Sequence, residues 1–296
     1  MRFGVHIPHV GHLASRENIA TFVRRAEELG FHSLWVSDHI VIPQGMETRY
    51  PGRASGRFPV TPDMPFLEPL ITLAYAASLT QRMLLGTSVL ILPMRHPIIV
   101  AKELATLDVL SGGRLIFGVG VGWLKEEFDA LGASFAGRGP RTDEYLEAII
   151  SLWTQDDPSF EGSHVRVQGI GFAPKPLQKP RPPIWVGGVS PGALKRAGRY
   201  GDAWHATGLI SPQELSGKFQ EVQNYARKAG RDPSAIALSV RLDGVGRQDP
   251  QQVIPYLQEL KAIGVSHALV AFPARTLEAS LELMERFASQ VIPPLS

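Results

Sequence analysis

Two polar residues, Asp38 and His39, directly follow the apolar segment Leu34-Trp35-Val36. A carboxylic acid beside an imidazole could move a proton at neutral pH, because the unperturbed pKa of histidine lies near neutrality. Adjacent residues of an extended segment face opposite ways, so we expect one of the two to point toward a substrate. The same position equally allows Asp38 to cap the local backbone and His39 to be a packed histidine.

Three histidines, His6, His9 and His12, accompany the first apolar segment at intervals of three residues. Neutral imidazoles can bind zinc, but this spacing across Pro8 fits neither alternate positions of a strand nor successive turns of a helix. The sequence therefore predicts no metal site here. We expect His6 to face the pocket, with His9 and His12 in a mobile loop beside it.

Glycine-rich stretches accompany three other apolar segments, namely Gly86-Thr87-Ser88-Val89, Gly118-Val119-Gly120-Val121-Gly122-Trp123 and Val186-Gly187-Gly188-Val189-Ser190-Pro191. Bare backbone ahead of a helix can bind an anion or a flat ring, although a plain tight turn is the alternative. The sequence shows no Walker A motif and no cluster of carboxylates for a divalent metal. Together these features predict a large, planar, phosphate-bearing organic cofactor that performs the difficult chemistry.

The elements that must position these residues alternate along the whole chain, as short apolar segments and longer segments of helical period. They count to about eight strand–helix units, and continuous apolar runs are typical of buried parallel strands. We predict an α/β fold, a (β/α)8 TIM barrel that forms a single domain over residues 1–296, with its reactive groups at the C-terminal face. Insertions near 42–65 and 158–182 are expected at that face. An open doubly wound sheet is the alternative, but it would place GxGxxG where Pro8-His9-Val10-Gly11-His12 stands.

Composition excludes several classes of function. Lys and Arg number 30 and Asp and Glu number 28, a net charge of +2, so no nucleic-acid partner is expected. The chain has no cysteine, which excludes disulfides, iron–sulfur clusters and cysteine nucleophiles. No apolar stretch approaches the length of a membrane span and no signal peptide is visible, so we expect a cytoplasmic protein without a membrane partner.

The ordered set of motifs resembles the bacterial luciferase-like monooxygenase superfamily, and most of all its coenzyme F420-dependent oxidoreductases. The motifs that carry the resemblance are Ala26–Phe31, Leu34–His39, Gly86–Val89, Gly113–Trp123, Pro183–Gly188 and Tyr200–Trp204. The resemblance implies a luciferase-like (β/α)8 barrel with the cofactor ring at its C-terminal mouth, beside the catalytic pair Asp38 and His39. It also implies a non-prolyl cis peptide at Ser88–Val89 that backs the ring.

Further contacts follow from the same resemblance. Val121 and Gly122 match backbone that contacts the cofactor, and Val186-Gly187-Gly188-Val189 matches the segment that binds its phosphate and side chain. We expect the substrate pocket to be formed by His6, His9 and Trp123. We hypothesise that His39 supplies or removes the proton that accompanies hydride transfer, while Asp38 orients His39 or hydrogen-bonds the cofactor.

One departure from the family narrows the substrate. The sugar-phosphate dehydrogenases of this family carry a glutamate straight after the glycine run, where this chain has Trp123. The acid of that chemistry is therefore expected to be absent, and a hydroxylated sugar phosphate is not the expected substrate. Arg49, Arg53 and Arg57 instead suggest a mobile lid over a partly apolar pocket, which accepts a small organic molecule.

Two alternatives stay open beside an F420-dependent oxidoreductase. One is an FMN-dependent monooxygenase that uses oxygen and takes reduced flavin from a partner reductase. The other is a barrel of a different class, a non-catalytic flavin-binding protein or a metal hydrolase. The family resemblance also implies a homodimer that pairs through the outer helices.

Overall fold

The computed structural model describes residues 1–52, 55–207 and 211–295. Its strands are β1 (Arg2–His6), β2 (Ser33–Val36), β3 (Leu84–Thr87), β4 (Leu90–Ile91), β5 (Leu115–Gly120), β6 (Phe160–Glu161), β7 (Arg166–Val167), β8 (Ile184–Gly187), β9 (Ala203–Ala206), β10 (Ala237–Leu242) and β11 (Val265–Val270). Its α-helices are α1 (Arg16–Glu28), α2 (Pro69–Leu79), α3 (Pro97–Leu110), α4 (Lys125–Ala130), α5 (Arg138–Thr154), α6 (Pro191–Tyr200), α7 (Pro212–Lys228), α8 (Pro250–Ala262) and α9 (Leu277–Gln290).

The parallel strands close into a barrel. Their order is β3-β2-β1-β11-β10-β9-β8-β5-β4, and β3 also pairs with β5. The pieces β3 and β4 together form one barrel strand, because Leu85 pairs with Leu115 at one end of β5 and Leu90 pairs with Val119 at the other. Eight barrel strands with helices between them confirm the predicted (β/α)8 fold. The third apolar segment, predicted as continuous, is interrupted at Ser88 and Val89.

Apart from the interruption between β3 and β4 and the short hairpin of β6 and β7, the strands and helices form where the apolar pattern predicts them. Every residue of β2 and of β5 is buried, as strands covered on both sides require. The helices bury one face only: α1 begins at Ser15, whose side chain accepts from the Asn18 amide, and it buries Ile19, Phe22, Val23 and Ala26. Within the described ranges, no helix is both long and apolar enough to cross a membrane.

The two insertions lie on different faces of the barrel. Residues 42–52 and 55–65, the described part of the first insertion, follow β2 at the C-terminal face, and we call them the lid segment. Residues 158–182 instead connect the end of α5 to the start of β8, and Gln178 contacts Asp108 and the Leu115 carbonyl at the start of β5. The prediction that both insertions lie at the C-terminal face is therefore wrong for 158–182, because a helix-to-strand connection starts and ends at the opposite face.

Candidate active site

His39 is held by a buried carboxylate. Its Nδ1 lies 2.7 Å from Oε2 of Glu127, a residue of α4, and the Glu127 side chain is 0% exposed. The other carboxylate oxygen, Oε1, accepts from the backbone amides of Ile40 at 2.7 Å and Val41 at 3.3 Å. Because every group facing Glu127 is a donor, Nδ1 of His39 carries a proton. In the neutral ring Nε2 is then a proton acceptor.

Aromatic rings cover His39. The ring centroids of Phe58, Phe66 and Trp123 lie 4.9, 5.5 and 5.9 Å from that of His39. Tyr50 lies 5.0 Å from both Phe58 and Trp123, so the lid segment and the end of β5 form one aromatic cluster. His39 is 7% exposed as a result. The predicted pocket residue Trp123 is thus in contact with the predicted catalytic histidine.

The lid segment is fastened to α4. Glu126 accepts from the backbone amides of Glu47 and Thr48 and from the Thr48 hydroxyl, at 2.7 to 2.8 Å. Burial raises the pKa of the Glu126 carboxyl, but these hydrogen bonds outweigh it and lower that pKa to about 2. Of the three arginines assigned to the lid, Arg49 and Arg57 lie in the described chain and Arg53 lies outside it.

Asp38 does not orient His39. Its carboxylate accepts two hydrogen bonds from the Arg95 guanidinium, at 2.6 and 2.8 Å, and a third from the Ile91 amide at 2.8 Å. Its side chain is 0% exposed, and burial raises the pKa of Asp38 while Arg95 opposes the shift. The hypothesis that Asp38 orients His39 is corrected, since Glu127 makes that contact. Asp38 instead ties the end of β2 to β4.

The histidines near β1 separate into different environments. His6 is partly buried at the end of the strand, with Nε2 3.3 Å from Oγ of Ser37. His9 is 0% exposed, and its ring nitrogens lie 3.0 Å from the carbonyls of Ile7 and Ser37. His12 contacts the Arg275 carbonyl at 2.8 Å. His9 lies in the loop after β1, as expected, but its ring is buried and contacts the carbonyls of that loop and of Ser37 instead of lying at the surface.

Burial controls the charge of these rings. Two carbonyls beside His9 favour a protonated ring, but desolvation is the larger effect and lowers the pKa of His9 to about 4. Burial also lowers the pKa of His6 well below its usual value, with a further contribution from the Arg241 guanidinium. Both imidazoles are consequently neutral at pH 7.

The break between β3 and β4, at Ser88 and Val89, forms an apolar surface at the C-terminal end of the barrel. The Ser88–Val89 peptide bond is cis, as the resemblance implies. Val89 is partly exposed, and its two methyl groups lie over Gly120 and Gly187. A Cβ at Gly120 would come within 2.3 Å of one methyl and a Cβ at Gly187 within 2.5 Å of the other. Glycine is needed at both positions because the Val89 side chain occupies the space that a Cβ would fill.

The two predicted cofactor-binding stretches lie side by side. Val119 of β5 pairs with Val186 of β8, so Val121-Gly122 and Gly187-Gly188-Val189 leave the barrel next to each other. Gly188 has φ of +102°, and its carbonyl accepts from the Trp204 indole at 2.7 Å. These contacts fix a loop of bare backbone directly before α6.

Ser190 has a structural role in that loop. Gly188-Val189-Ser190-Pro191-Gly192 matches G-x-S-x-G, the pattern of a serine nucleophile at a strand-to-helix turn. The Ser190 hydroxyl accepts from the Ala193 amide and caps α6, with an ordinary φ of −71°. The loop therefore presents backbone groups rather than a nucleophile.

Sequence reasoning missed Glu127 and Arg241. Glu127 lies in a short helix beyond the glycine run, beside an equivalent Glu126, and nothing local separates the two. Arg241 donates from Nη1 to the Ser88 carbonyl at 2.7 Å. The sequence did indicate that Arg241 points into the barrel, because Ser239 and Arg241 are polar residues at alternate positions of the apolar strand β10. Trp123 stands straight after the glycine run, as the sequence shows, and the carboxylate of Glu127 four residues later contacts His39 instead.

A cavity of about 490 Å³ opens elsewhere, at the start of β1, where Arg2, Phe31, His32 and Arg82 are among the lining residues. None of the predicted site residues lines it.

Comparisons with known proteins agree with this architecture. Residues 1–287 match the profile of the luciferase-like monooxygenase family. An uncharacterized protein of Mycobacterium tuberculosis is 32% identical over 278 residues, which cover 92% of this chain and 93% of that protein. The FMNH(2)-dependent dimethylsulfone monooxygenase of Pseudomonas putida is 33% identical over 186 residues, which cover 57% of this chain and 51% of that enzyme.

A solved structure shares the fold. The coenzyme F420-dependent tetrahydromethanopterin reductase of Methanopyrus kandleri superposes with a TM-score of 0.77 at 20% identity, covering 100% of this chain and 99% of that one. At this identity the similarity concerns the fold alone.

Proposed function

The chain belongs to the luciferase-like monooxygenase family, and on that premise we propose that it is an F420-dependent oxidoreductase. It would transfer a hydride between the deazaflavin and a small organic substrate at the barrel mouth. The observation that carries the proposal is the His39–Glu127 pair, a single imidazole whose Nδ1 is held by a buried carboxylate. Within the described residues, no hydrogen bond engages its Nε2.

The residues at the mouth suit a planar ring with a phosphate. Val89 offers a flat apolar surface between Gly120 and Gly187. The Gly187-Gly188-Val189 loop offers backbone ahead of α6, where a helix N-terminus favours an anion. We assign the cofactor ring to the Val89 surface and the phosphate-bearing side chain of the cofactor to the Gly187-Gly188-Val189 loop.

Hydride transfer to a carbonyl carbon, or from an alcohol carbon, is accompanied by transfer of one proton to or from the oxygen. His39 is suited to exchange that proton. With Nδ1 donating to Glu127, Nε2 can accept a hydroxyl proton, and the carboxylate stabilises the imidazolium that forms. In the reverse direction the same atom returns the proton. The bound deazaflavin supplies the hydride donor or acceptor.

The lid segment excludes water from this exchange. Phe58 and Tyr50 lie over His39 and Trp123 and are held there through the contacts of Glu126 with Thr48. A dry site strengthens the His39–Glu127 contact. It also implies that substrate enters when the lid segment moves, and that the substrate has an apolar part.

The second candidate is an FMN-dependent monooxygenase, favoured by the 33% identity to the dimethylsulfone monooxygenase. It would need reduced flavin from a partner reductase. In that reaction His39 would serve the same proton transfer, and oxygen would be a co-substrate.

Titration of the purified protein with F420 and with FMN, followed by ligand fluorescence, tests the proposal. We expect F420 to bind at least tenfold more tightly than FMN. Tight binding of FMN alone would overturn F420 dependence in favour of the second candidate. His39→Gln should retain F420 binding but lose turnover, whereas the exposed His164→Gln should retain both.

We also propose that two copies pair through outer helices. Ile71 of α2 and Ile99 and Leu110 of α3 are 72%, 58% and 71% exposed, so two neighbouring outer helices present apolar side chains that a second copy could cover. Sedimentation of the wild type and of Ile71→Asp tests this: a dimer that the substitution dissociates is expected, and a monomeric wild type contradicts it.

A further inference from the structure

A chain of hydrogen bonds runs through the barrel interior and ends at the cis bulge. The Trp35 indole Nε1 donates to Oγ of Ser33 at 2.8 Å, and Ser33 contacts Nε2 of His267 at 2.8 Å. Nδ1 of His267 lies 3.1 Å from Oγ of Ser239, which lies 2.9 Å from Nδ1 of His205. Nε2 of His205 finally lies 2.9 Å from Oγ of Ser88.

Strand register brings these residues together. Ser239 of β10 pairs with His205 of β9 on one side and with His267 of β11 on the other. Trp35 stacks on His205 with centroids 5.3 Å apart and 8° between the planes. Both histidines and Ser239 are at most 3% exposed.

Glycines make room for the indole. A Cβ at Gly4 would come within 2.5 Å of Trp35 Nε1, and one at Gly86 within 2.4 Å of its six-membered ring. The indole is thereby held in one orientation, with its N–H on Ser33.

The direction of these hydrogen bonds is set at Ser33, whose oxygen faces the indole of Trp35, a group that can only donate. A hydroxyl oxygen can accept twice, so the direction depends on which acceptor receives the Ser33 proton. Ser33 accepts that hydrogen bond, and among the described residues the acceptor facing its own hydroxyl is Nε2 of His267. His267 is therefore protonated at Nδ1 and donates to Ser239, which in turn donates to Nδ1 of His205. His205 is then protonated at Nε2 and donates to Ser88.

We infer that these one-way hydrogen bonds fix the Ser88 hydroxyl as a donor whose proton is available to an acceptor atom of the bound cofactor ring. The other group near Ser88 Oγ, Nη1 of Arg241 at 3.4 Å, is itself a donor and cannot take the hydroxyl proton. Within the described chain Ser88 thus has a proton to give and no protein acceptor for it.

Neutral rings are required for a fixed sense, since an imidazolium would donate at both nitrogens. Burial lowers the pKa of His205 to about 3, with a contribution from Arg241, and lowers that of His267 well below its usual value. The titratable groups that contribute all act in the same direction, namely Arg241 on His205, and His205, His32 and Arg2 on His267.

The chain positions Ser88 and does not conduct protons. Its far end is an indole N–H, which does not release its proton, so a proton lost from Ser88 could not be replaced along the chain. Ser33, Ser239, His205 and His267 are therefore positioning residues. Of the hydrogen-bonded residues, Ser88 is the one that contacts the cofactor ring.

Histidine tautomers test the chain without any ligand. In ¹⁵N-histidine-labelled protein at pH 7, long-range ¹H–¹⁵N spectra should show His205 protonated at Nε2 and His267 at Nδ1. The opposite tautomer at either ring overturns the inference. Trp35→Phe keeps the aromatic packing but removes the donor, and should produce mixed tautomers at both rings.

Two further variants complete this test. Trp185→Phe alters a neighbouring indole of the same aromatic layer and should leave both tautomers unchanged. Ser33→Ala cuts the chain at the same point as Trp35→Phe with a smaller loss of volume, and it serves where the larger change does not fold. Unchanged tautomers in a folded Ser33→Ala protein also overturn the inference.

The assignment of the ring as Ser88's partner rests on the proposed function. Ser88→Ala should raise the Kd for F420 about tenfold, the value of one hydrogen bond, and leave the His267 tautomer unchanged. An unchanged Kd refutes Ser88 as a donor to the ring. Wild-type protein that binds neither F420 nor FMN refutes the proposed function instead. The tautomers of His205 and His267 still show whether the interior hydrogen bonds run in one direction.

Discussion

Glu127 holds His39 by Nδ1 at 2.7 Å across a sequence separation of 88 residues. The contact joins the end of β2 to a helix of six residues that follows β5. A side chain that can donate or accept at two nitrogens is thereby held in one tautomer, with its Nδ1 on the carboxylate.

Glu127→Gln should lower kcat about a hundredfold and change the Kd for F420 less than threefold. The amide replaces one accepting oxygen by a donor, so either His39 takes the other tautomer or a backbone amide loses its acceptor. Turnover of a substrate accepted by the wild type, measured against pH, checks this. Asp129→Asn on the same helix is the control and should behave as wild type; equal kcat for Glu127→Gln would refute the positioning role.

Asp38→Asn should reduce the free energy of unfolding by about 1–3 kcal/mol, because it removes the buried carboxylate that pairs with Arg95 and leaves that guanidinium with the more distant Glu68 carboxylate at 3.6 Å. Urea denaturation measures the effect. Glu28→Gln, which opens an exposed ion pair with Arg25, should leave the denaturation midpoint nearly unchanged. If Asp38→Asn kept full stability and lost cofactor binding, Asp38 would belong to the cofactor site after all.

Gly120→Ala should destabilise the protein by about 1–3 kcal/mol and weaken F420 binding, since the new methyl overlaps Val89. Val89→Ala in the same chain removes the overlapping methyl groups and should restore most of the stability. Gly217→Ala, where nothing lies within 4 Å of the added carbon, is the control. Equal losses in the single and double variants would show that Val89 is not the cause.

Phe58→Ala should make His39 several-fold more reactive toward an imidazole-directed acylating reagent, because Phe58 contributes to its cover. Peptide mapping by mass spectrometry follows His39 itself. Phe58→Leu retains most of the covering volume and should change the rate little. An unchanged rate in the alanine variant would mean that Phe66 and Trp123 are sufficient cover.

Stability should fall as the pH drops from about 6.5 toward 4. The pKa of His9 is lowered to about 4 and that of His205 to about 3, so both rings stay neutral in the fold where an unfolded chain, with pKa near 6.5, is protonated. The unfolded state binds more protons in this window, and stability is complete above it. Each ring contributes a slope of up to about 1.4 kcal/mol per pH unit.

Urea denaturation at pH 7, 6 and 5 measures that slope. His9→Gln should make it shallower by about one proton, and the exposed His164→Gln should leave it unchanged. A free energy of unfolding that is the same at pH 7 and pH 5 contradicts the prediction.

The barrel and its glycine-rich mouth were predictable because they follow from local patterns. Apolar runs identify buried strands, and adjacent strands necessarily bring their ends together. Hydrogen-bond partners that only the closed fold brings together were not predictable. Glu126 and Glu127 are indistinguishable in sequence, yet Glu126 binds the lid segment and Glu127 binds His39. Asp38 and His9 carry polar groups that the fold turns inward, onto Arg95 and backbone carbonyls, and only the three-dimensional path decides that.

The separation of the two insertions has a consequence for engineering and for divergence. Residues 158–182 connect α5 to β8, away from the mouth, and the hairpin of Phe160–Glu161 with Arg166–Val167 carries no residue of the proposed site. A reporter peptide or affinity tag placed at its turn leaves the Val89 surface and His39 untouched. Substrate preference, in contrast, can diversify through changes in residues 42–65 without redesign of the barrel.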